Sequence, residues 1–156
     1  MKIRRAGHQD MQAVNKLLSE VLEIHAEIRP DIFISGTKKY TDEELDAIFI
    51  HPDTPVFVAV DEADQVQGYC FCEIQEKKGL NNIRDMKTLY IDDLCVEESA
   101  RGKHVGRELY DYVIAYARQL GCHNVTLHVW EGNERARAFY DRMGFGIQKT
   151  LMEKIL

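Results

Sequence analysis

The sequence predicts an α+β, or mixed α/β, domain built around one mostly antiparallel sheet. Several short segments are either continuously apolar or alternate between apolar and polar residues, as strands do. Longer segments carry apolar residues three and four positions apart, which is the spacing of one helix face. Three of the strand-like segments follow one another without a helix between them, and such a run favours antiparallel pairing over a repeated strand–helix–strand unit.

The first third of the chain predicts one strand and two helices. Residues 2–5 form a short strand, and Asp10 can cap the helix that follows. Pro30 prevents that helix from continuing, because proline lacks a backbone N–H and clashes with the preceding turn. Residues 41–44 read Thr-Asp-Glu-Glu, a capping box in which the threonine and the second glutamate satisfy each other's backbone N–H groups. A second helix therefore starts there.

The middle of the sequence predicts three consecutive strands and a long helix. The three consecutive strands are residues 56–60, 66–75 and 88–96, and the first two form a hairpin. A long amphipathic helix follows from Val105, and Gly121 lies where a C-terminal cap belongs.

The sequence after this helix predicts a strand, a helix and a final strand. Residues 125–129 alternate as a strand, Asn133 can cap the last helix, and residues 147–155 form the final strand region. We expect six to seven strands and about four helices. No linker divides the chain, so residues 1–156 form a single domain.

The charge balance and several missing patterns exclude some classes of function. Twenty basic and 26 acidic residues give a net charge of −6, which disfavours binding to nucleic acid. No apolar run approaches the roughly 18–20 residues of a membrane helix, and the first residues lack the apolar core of a signal peptide. We expect a cytoplasmic protein without a membrane or nucleic-acid partner. The 4 cysteines match no zinc-binding spacing, so we expect reduced thiols and no metal.

One segment combines the features of an anion-binding site. Residues 94–96 end a buried strand, a short loop contains Gly102, and Gly106 opens the long helix. Backbone N–H groups at a helix start have no intrahelical partner and the helix dipole adds positive charge, so this arrangement suits a pyrophosphate. Three basic residues between positions 101 and 107 add full charges. The alternative is an ordinary strand–loop–helix turn with solvated basic residues.

Two motifs resemble those of the GCN5-related N-acetyltransferase (GNAT) superfamily. Residues 101–106 read Arg-Gly-Lys-His-Val-Gly and resemble motif A, whose usual form is Arg/Gln-x-x-Gly-x-Gly/Ala. His104 replaces the middle glycine of that motif, and Glu98 stands where a proline is often found. Residues 133–145 resemble motif B, with its Asn-x-x-Ala-x-x-Phe-Tyr-x-x-x-Gly-Phe pattern. The resemblance covers most of the chain.

The resemblance implies a fold in which strands four and five splay apart, with acetyl-CoA as co-substrate in the gap. Tyr140 would act as a general acid that protonates the departing coenzyme A thiolate, and Asn133 would hold the coenzyme or orient its pantetheine. The backbone of residues 94–96 would pair with the pantetheine and the acetyl carbonyl. The residues implied in coenzyme binding are Leu94, Cys95, Val96, Arg101, Gly102, Lys103, His104, Val105, Gly106, Arg107, Asn133 and Tyr140. The alternative for Tyr140 is packing in the core.

Two adjacent carboxylates, Asp92 and Asp93, precede the strand residues that would bind the acetyl group. An alkyl amine is mostly protonated at neutral pH, so its attack on the acetyl carbonyl requires a proton acceptor. Strand alternation places Asp92 on the face of Leu94 and Val96, and Asp93 on the other face. The alternative is a solvated, polar strand end.

Residues 89–96 are similar to the matching strand of the diamine (spermidine/spermine) acetyltransferases, in which an acidic pair, glutamate first, precedes the valine. The similarity implies that Asp92 accepts the proton or positions a water that does so, and that Asp93 binds the cationic substrate. Glu73 on the neighbouring strand and His25 near the end of the first helix are further candidates for the amine pocket.

These motifs predict an acetyl-CoA-dependent N-acetyltransferase that acts on a primary amine, such as that of a polyamine or a similar small cationic metabolite. Two alternatives stay open. One is acetylation of a protein N-terminus or lysine side chain, and the other is a coenzyme-A-binding regulatory module without turnover. The resemblance also makes a homodimer possible. The sequence does not fix the acceptor amine or the acyl chain length.

Overall fold

The computed structural model describes all residues from 1 to 156. Its core is a five-stranded sheet with helices packed on both faces. The elements, in chain order, are β1 (Lys2–Arg5), α1 (Met11–Ile28), α2 (Asp42–Ile50), β2 (Val56–Val60), β3 (Val66–Lys77), β4 (Met86–Val96), α3 (Val105–Gln119), β5 (Asn124–Leu127) and α4 (Glu134–Arg142). The prediction of an α+β fold with four helices is confirmed. None of the helices has the length and apolar character that a membrane span requires.

The predicted final strand is wrong, and the sheet has five strands instead of six to seven. The last backbone hydrogen bond near this end of the chain runs from the N–H of Phe145 to the carbonyl of Tyr140. Beyond it, residues 146–156 are exposed and pair with no strand. Their apolar residues fall at odd and even positions alike, so a strand here would have no single apolar face to bury.

The helix caps follow the sequence closely with one exception. Thr41 accepts a hydrogen bond from the N–H of Glu44, and the Glu44 carboxylate accepts one from the N–H of Thr41, which confirms the capping box. Asp10 lies at the start of α1, but its side chain does not cap the helix. The buried Asp10 carboxylate instead accepts hydrogen bonds from the Arg4 guanidinium, at 2.7 and 2.9 Å, and from the N–H of Gly7.

The strands lie in the order β1-β2-β3-β4-β5, and only the last pair is parallel. Pairing between β4 and β5 runs from Thr88 and Asn124 to Ile91 and Leu127, and then stops. β4 continues to Val96 alongside β3 but without a neighbour on its other side. Strand pairing on this side of β4 therefore ends at Ile91, and we call the space beside residues 92–96 the wedge. The splay between strands four and five stays a prediction.

Two apolar clusters fill the two sides of the sheet. Side chains of α1 and α2 pack on one face with Tyr69, Phe71 and Cys95, while α3 packs on the other face with Cys70 and Ile91. Burial of these surfaces supplies most of the driving force for folding. All four cysteines are free thiols, as expected, and three of them are buried.

Gly68 of β3 lies opposite Val96, the last residue of β4. A Cβ atom at this position would stand 2.8 Å from the carbonyl oxygen of Cys95 and 3.2 Å from Leu109. We expect Gly68→Ala to lower the free energy of unfolding by about 1–3 kcal/mol, because the backbone of β4 would have to move. Urea denaturation measures this loss. Gly146→Ala is the matched control, since a Cβ there meets open space, and an equal loss in both variants would contradict the argument.

Candidate active site

A β-bulge in β4 places the two carboxylates beside the wedge. Asp93 lies opposite Phe71 and Ile91 opposite Cys72, so Asp92 is an extra residue without a partner on β3. Ile91 packs in the cluster under α3, yet Cys95, four positions on, packs in the cluster under α1. In a regular strand both would share one face. The alternation predicted through Asp92 is therefore wrong, because the bulge reverses the faces of β4 there.

The Asp92 side chain is exposed at the mouth of the wedge and holds a lysine. Its Oδ2 lies 2.8 Å from the Nζ of Lys39, which comes from the segment just before α2. The same ammonium lies 5.3 Å from the ring centroid of Tyr40. The Asp92 carboxylate is thus exposed, but it is already paired with the ammonium group of Lys39.

Asp93 occupies a more buried position than Asp92. The hydroxyl of Tyr69, a fully buried residue of β3, donates a hydrogen bond of 2.5 Å to its Oδ2. Burial raises the pKa of Asp93 to about 6, although the Tyr69 hydrogen bond and the charge of Lys39 oppose the rise. A carboxylate with a pKa near 6 is mostly ionised at neutral pH and still basic enough to take a proton from a reacting group.

Tyr140 of α4 is a buried phenol held by aromatic packing. Its ring lies 5.2 Å from that of Phe139 and 5.5 Å from that of Phe145. Burial, followed by the nearby Cys70 and the Asp93 carboxylate, raises the pKa of Tyr140 well above its usual value, and no hydrogen bond contributes to the shift. The phenol therefore stays protonated at neutral pH.

The loop before α3 has the geometry expected of an anion-binding site. Gly102 and His104 both adopt left-handed backbone conformations, with φ of 78° and 64°. No side chain caps α3, so the N–H groups at its start, from Val105 to Arg107, have no intrahelical acceptor. Such N–H groups, together with the helix dipole, favour a negatively charged ligand.

The three basic side chains of this loop differ in their availability. Arg101 donates a hydrogen bond of 3.3 Å from its Nε to the carbonyl of Val96, the last residue of β4. Arg107 pairs with Asp111 one turn along α3. Lys103 is exposed and makes no ion pair. The structure thus leaves Lys103 as the basic side chain most open to a phosphate.

The first turn of α3 brings the two sequence motifs together. A Cβ atom on Gly106 would lie 3.4 Å from the ring of Phe139 in α4 and 3.4 Å from Val96. α3, α4 and the end of β4 therefore meet at this point. The wedge between β4 and β5 is consequently flanked by the free N–H groups of α3, by the carboxylates of β4 and by the aromatic residues of α4.

The profile of the Acetyltransferase (GNAT) family matches residues 18–145. The chain belongs to this family. It is 26% identical to peptidyl-lysine N-acetyltransferase YjaB of Escherichia coli over 94% of this chain and 83% of that protein. It is 34% identical over 95 residues to mycothiol acetyltransferase of Propionibacterium freudenreichii, and spans only 28% of that protein's length.

A solved structure has the same fold over the whole chain. A mutant form of the BH1408 protein from Bacillus halodurans is 34% identical, with a TM-score of 0.95 and coverage of 100% of this chain and 99% of that one. GNAT enzymes use acetyl-CoA as co-substrate, and the relatives above are named as acetyltransferases. The chain is accordingly an acetyl-CoA-dependent acyltransferase by family. Neither comparison identifies its acceptor.

In this GNAT chain, His104 occupies the position where motif A usually has glycine. The φ of His104 is 64°, a left-handed conformation that glycine adopts readily, which explains why the motif prefers glycine there. A left-handed conformation costs a residue with a Cβ atom roughly 1–2 kcal/mol, and this cost is largest for a β-branched residue. We expect His104→Val to be about 1–2 kcal/mol less stable than His104→Gly, and to bind acetyl-CoA more weakly because the adjacent N–H groups shift. Thermal unfolding and calorimetric titration measure both effects. Equal stabilities of the two variants would contradict this explanation.

Three further predicted site residues have other surroundings. Asn133 accepts a hydrogen bond of 3.2 Å from the N–H of Ala136 and thereby caps α4, so its predicted role on the coenzyme stays a prediction. Glu73 is exposed on β3 opposite Tyr90. The ring of His25 lies 5.1 Å from that of Phe33, and burial lowers the pKa of His25.

The structure adds site residues that sequence reasoning missed. Lys39 pairs with Asp92, and Tyr69 bonds to Asp93. The Tyr90 hydroxyl and the Nδ1 of His128 lie 2.9 Å apart, just beyond the end of β5. Strand pairing could have placed Tyr69 beside the acidic pair, since β3 and β4 are neighbours. No sequence signal pointed to Lys39, which lies in a segment without periodicity.

Proposed function

We propose that this chain transfers the acetyl group of acetyl-CoA directly to a primary amine of a small molecule. The observation that carries the proposal is the wedge, an unpaired strand edge that bears two carboxylates, with the protonated Tyr140 near enough to feel the charge of Asp93. Direct transfer requires those three components: a binding edge, an acid for the leaving thiolate and an acceptor for the proton of the amine.

The coenzyme would lie along the wedge. Its pyrophosphate would contact the N–H groups at the start of α3, with Lys103 and the glycine-containing loop beside it. Its pantetheine arm contains amides, which match the unpaired backbone groups of residues 94–96 on β4. The same edge would fix the acetyl carbonyl in place for attack.

We assign the two carboxylates different tasks. Asp92, exposed and already bound to an ammonium group, would orient the acceptor amine. Asp93, with its pKa raised to about 6, would take the proton that the amine must lose before attack. The sequence similarity suggested the opposite assignment. The raised pKa of Asp93 and the exposure of Asp92 support the roles proposed here.

Tyr140 would then complete the reaction. After the amine attacks the acetyl carbon, the carbon–sulfur bond breaks and the coenzyme leaves as a thiolate. The phenol of Tyr140 has no protein acceptor for its proton, so it can donate that proton to the sulfur. Regeneration of the phenol requires one proton from the acylated nitrogen or from water.

A small cation such as a polyamine is our proposed acceptor class, because two adjacent carboxylates at an accessible site attract positive charge. Lys39 already neutralises part of that charge, so the acceptor would have to displace the Lys39 ammonium from Asp92. A peptide lysine is the second candidate. The similarity to a protein named as a peptidyl-lysine N-acetyltransferase supports it. A regulatory module without turnover is disfavoured by the raised pKa of Asp93.

The experiment that tests the proposal measures release of coenzyme A thiol from acetyl-CoA with a panel of amines. The panel contains monoamines, diamines and polyamines, aminoglycosides, amino acids and lysine peptides. Amine-dependent turnover establishes the activity, and the best acceptor decides between a small molecule and a peptide. Binding of acetyl-CoA without turnover on any amine would support the regulatory module, and no binding at all would reject the proposal.

The homodimer implied by the resemblance stays a prediction, and the segment after α4 supports it. Ile147, Leu151, Met152 and Ile155 are 70–93% exposed, which is a large apolar surface for a free monomer. A second copy of the chain would cover it. Sedimentation velocity at several protein concentrations tests this, and a variant with Leu151→Glu and Met152→Glu should remain monomeric if the segment forms the interface.

A further inference from the structure

Lys39 places a primary ammonium at the position proposed for the acceptor amine. Its Nζ lies 2.8 Å from Asp92, and only 39% of its side chain is exposed. The ring of Tyr40 lies beneath it at 5.3 Å, and that ring stacks on Phe71 at 6.2 Å. A carboxylate and an aromatic face are the groups by which proteins recognise a substrate ammonium.

The position of this ammonium relative to the wedge follows from strand pairing. Ile91 is the last residue of β4 that pairs with β5, and Asp92 comes directly after it. Lys39 therefore contacts the first residue of the unpaired edge. Its charge also acts on Asp93, the proposed proton acceptor. The amine, the carboxylates and the proposed acetyl-binding edge thus lie within a few residues of one another.

We propose that Lys39 is the chain's own acceptor, which occupies the amine position and becomes acetylated from acetyl-CoA when no other amine is bound. This inference rests on the proposed function, because it uses the same acid and the same proton acceptor. Acetylation would remove the charge of Lys39 and release Asp92. The modified protein would then bind a free amine without competition from its own side chain.

The reaction balances without any further reagent. The Lys39 ammonium gives one proton to Asp93, and the neutral nitrogen attacks the acetyl carbon. A nitrogen–carbon bond forms, the carbon–sulfur bond breaks, and the electron pair leaves on sulfur. The sulfur receives a proton from Tyr140, and the nitrogen gives up its second proton, which restores the phenol. The products are acetyl-lysine, free coenzyme A thiol and one proton on Asp93.

Lys38 provides a control within the same segment. Its Nζ lies 2.7 Å from Asp42 in the first turn of α2, and its side chain is 52% exposed. It has the same chemical group and the same kind of partner as Lys39, but it does not contact Asp92. Chemical acetylation by acetyl-CoA in solution would favour the more exposed Lys38. Acetylation by the site would favour Lys39.

The test incubates the full chain with acetyl-CoA and no added amine, and follows the mass of the intact protein and of its peptides. We expect one acetyl group on Lys39, formed at least about tenfold faster than on Lys38 because the site holds the amine in place. The rate constant should not depend on protein concentration. Lys39→Arg should abolish the modification, Lys38→Arg should retain it, and Asp92→Asn should slow it.

Turnover with the best amine of the panel, measured on the same samples, separates the possible failures. Turnover without faster labelling of Lys39 than of Lys38 would overturn this inference and leave the proposed function intact. A labelling rate that rises with protein concentration would also overturn it, because the acceptor would then be a lysine of another molecule. Absence of both turnover and labelling would reject the proposed function, and this inference with it.

Discussion

Replacement of Tyr140 by phenylalanine should lower kcat by about 10²-fold or more, which is the contribution usual for a general acid. The phenol makes no hydrogen bond in the protein, so Tyr140→Phe leaves no partner unsatisfied. We expect the free energy of unfolding to change by less than about 0.5 kcal/mol and the affinity for acetyl-CoA to stay the same. Steady-state kinetics, urea denaturation and calorimetric titration measure the three quantities.

Tyr110→Phe is the matched control for this substitution. Tyr110 also packs against Phe145, but its hydroxyl donates a hydrogen bond of 3.1 Å to the carbonyl of Met143. Loss of that bond should cost about 1 kcal/mol of stability with little effect on kcat. Tyr140→Phe should therefore lose activity and keep its stability, whereas Tyr110→Phe should lose stability and keep its activity. Tyr140 would not be the acid if its variant kept wild-type kcat.

Replacement of Asp93 by asparagine should make the protein more stable and much less active. The folded-state pKa of about 6 lies above the ordinary value of 3.8, so folding takes up a proton in this range. Stability therefore falls as pH rises from about 4 to about 6, and above this window the buried charge costs about 1–3 kcal/mol. The asparagine side chain would carry no charge and could still accept the Tyr69 hydrogen bond, so Asp93→Asn should recover that energy at pH 7.

The activity of the same variant should fall by about 10²-fold, because the proton acceptor is lost. In the wild type, kcat/KM should rise with pH through an apparent pKa near 6, as Asp93 ionises. Asp92→Asn is the matched control for the stability measurement, because its exposed ion pair with Lys39 contributes at most about 1 kcal/mol to the free energy of unfolding. A destabilised Asp93→Asn at pH 7 would show that burial of its charge is not the dominant effect.

Features set by local chemistry were predictable from the sequence. The capping box at Thr41, the cap at Asn133 and the order of the elements from β1 to α4 each depend on a few neighbouring residues. Local signals of this kind survive folding because they concern backbone groups that the chain must satisfy wherever it packs.

Features that depend on distant contacts were not predictable in this way. The bulge at Asp92 arises where β3 and β4 change register, and nothing in residues 88–96 alone shows it. Lys39 reaches Asp92 across 53 positions of the sequence. The apolar residues of 147–155 suggested a strand, but a strand also requires pairing with a neighbouring strand, and residues 146–156 pair with none.

The wedge leaves the sheet incomplete near its edge, and the proposed binding of the co-substrate there would tie the lifetime of the protein to its supply. A molecule that fills the space beside residues 92–96 binds the folded chain and not the unfolded one. By mass action, a ligand present at a hundredfold its Kd adds about 2.7 kcal/mol to the apparent stability. A cell short of acetyl-CoA would thus hold a larger unfolded fraction of this protein and degrade it sooner, so the amount of enzyme would follow the supply of acetyl groups.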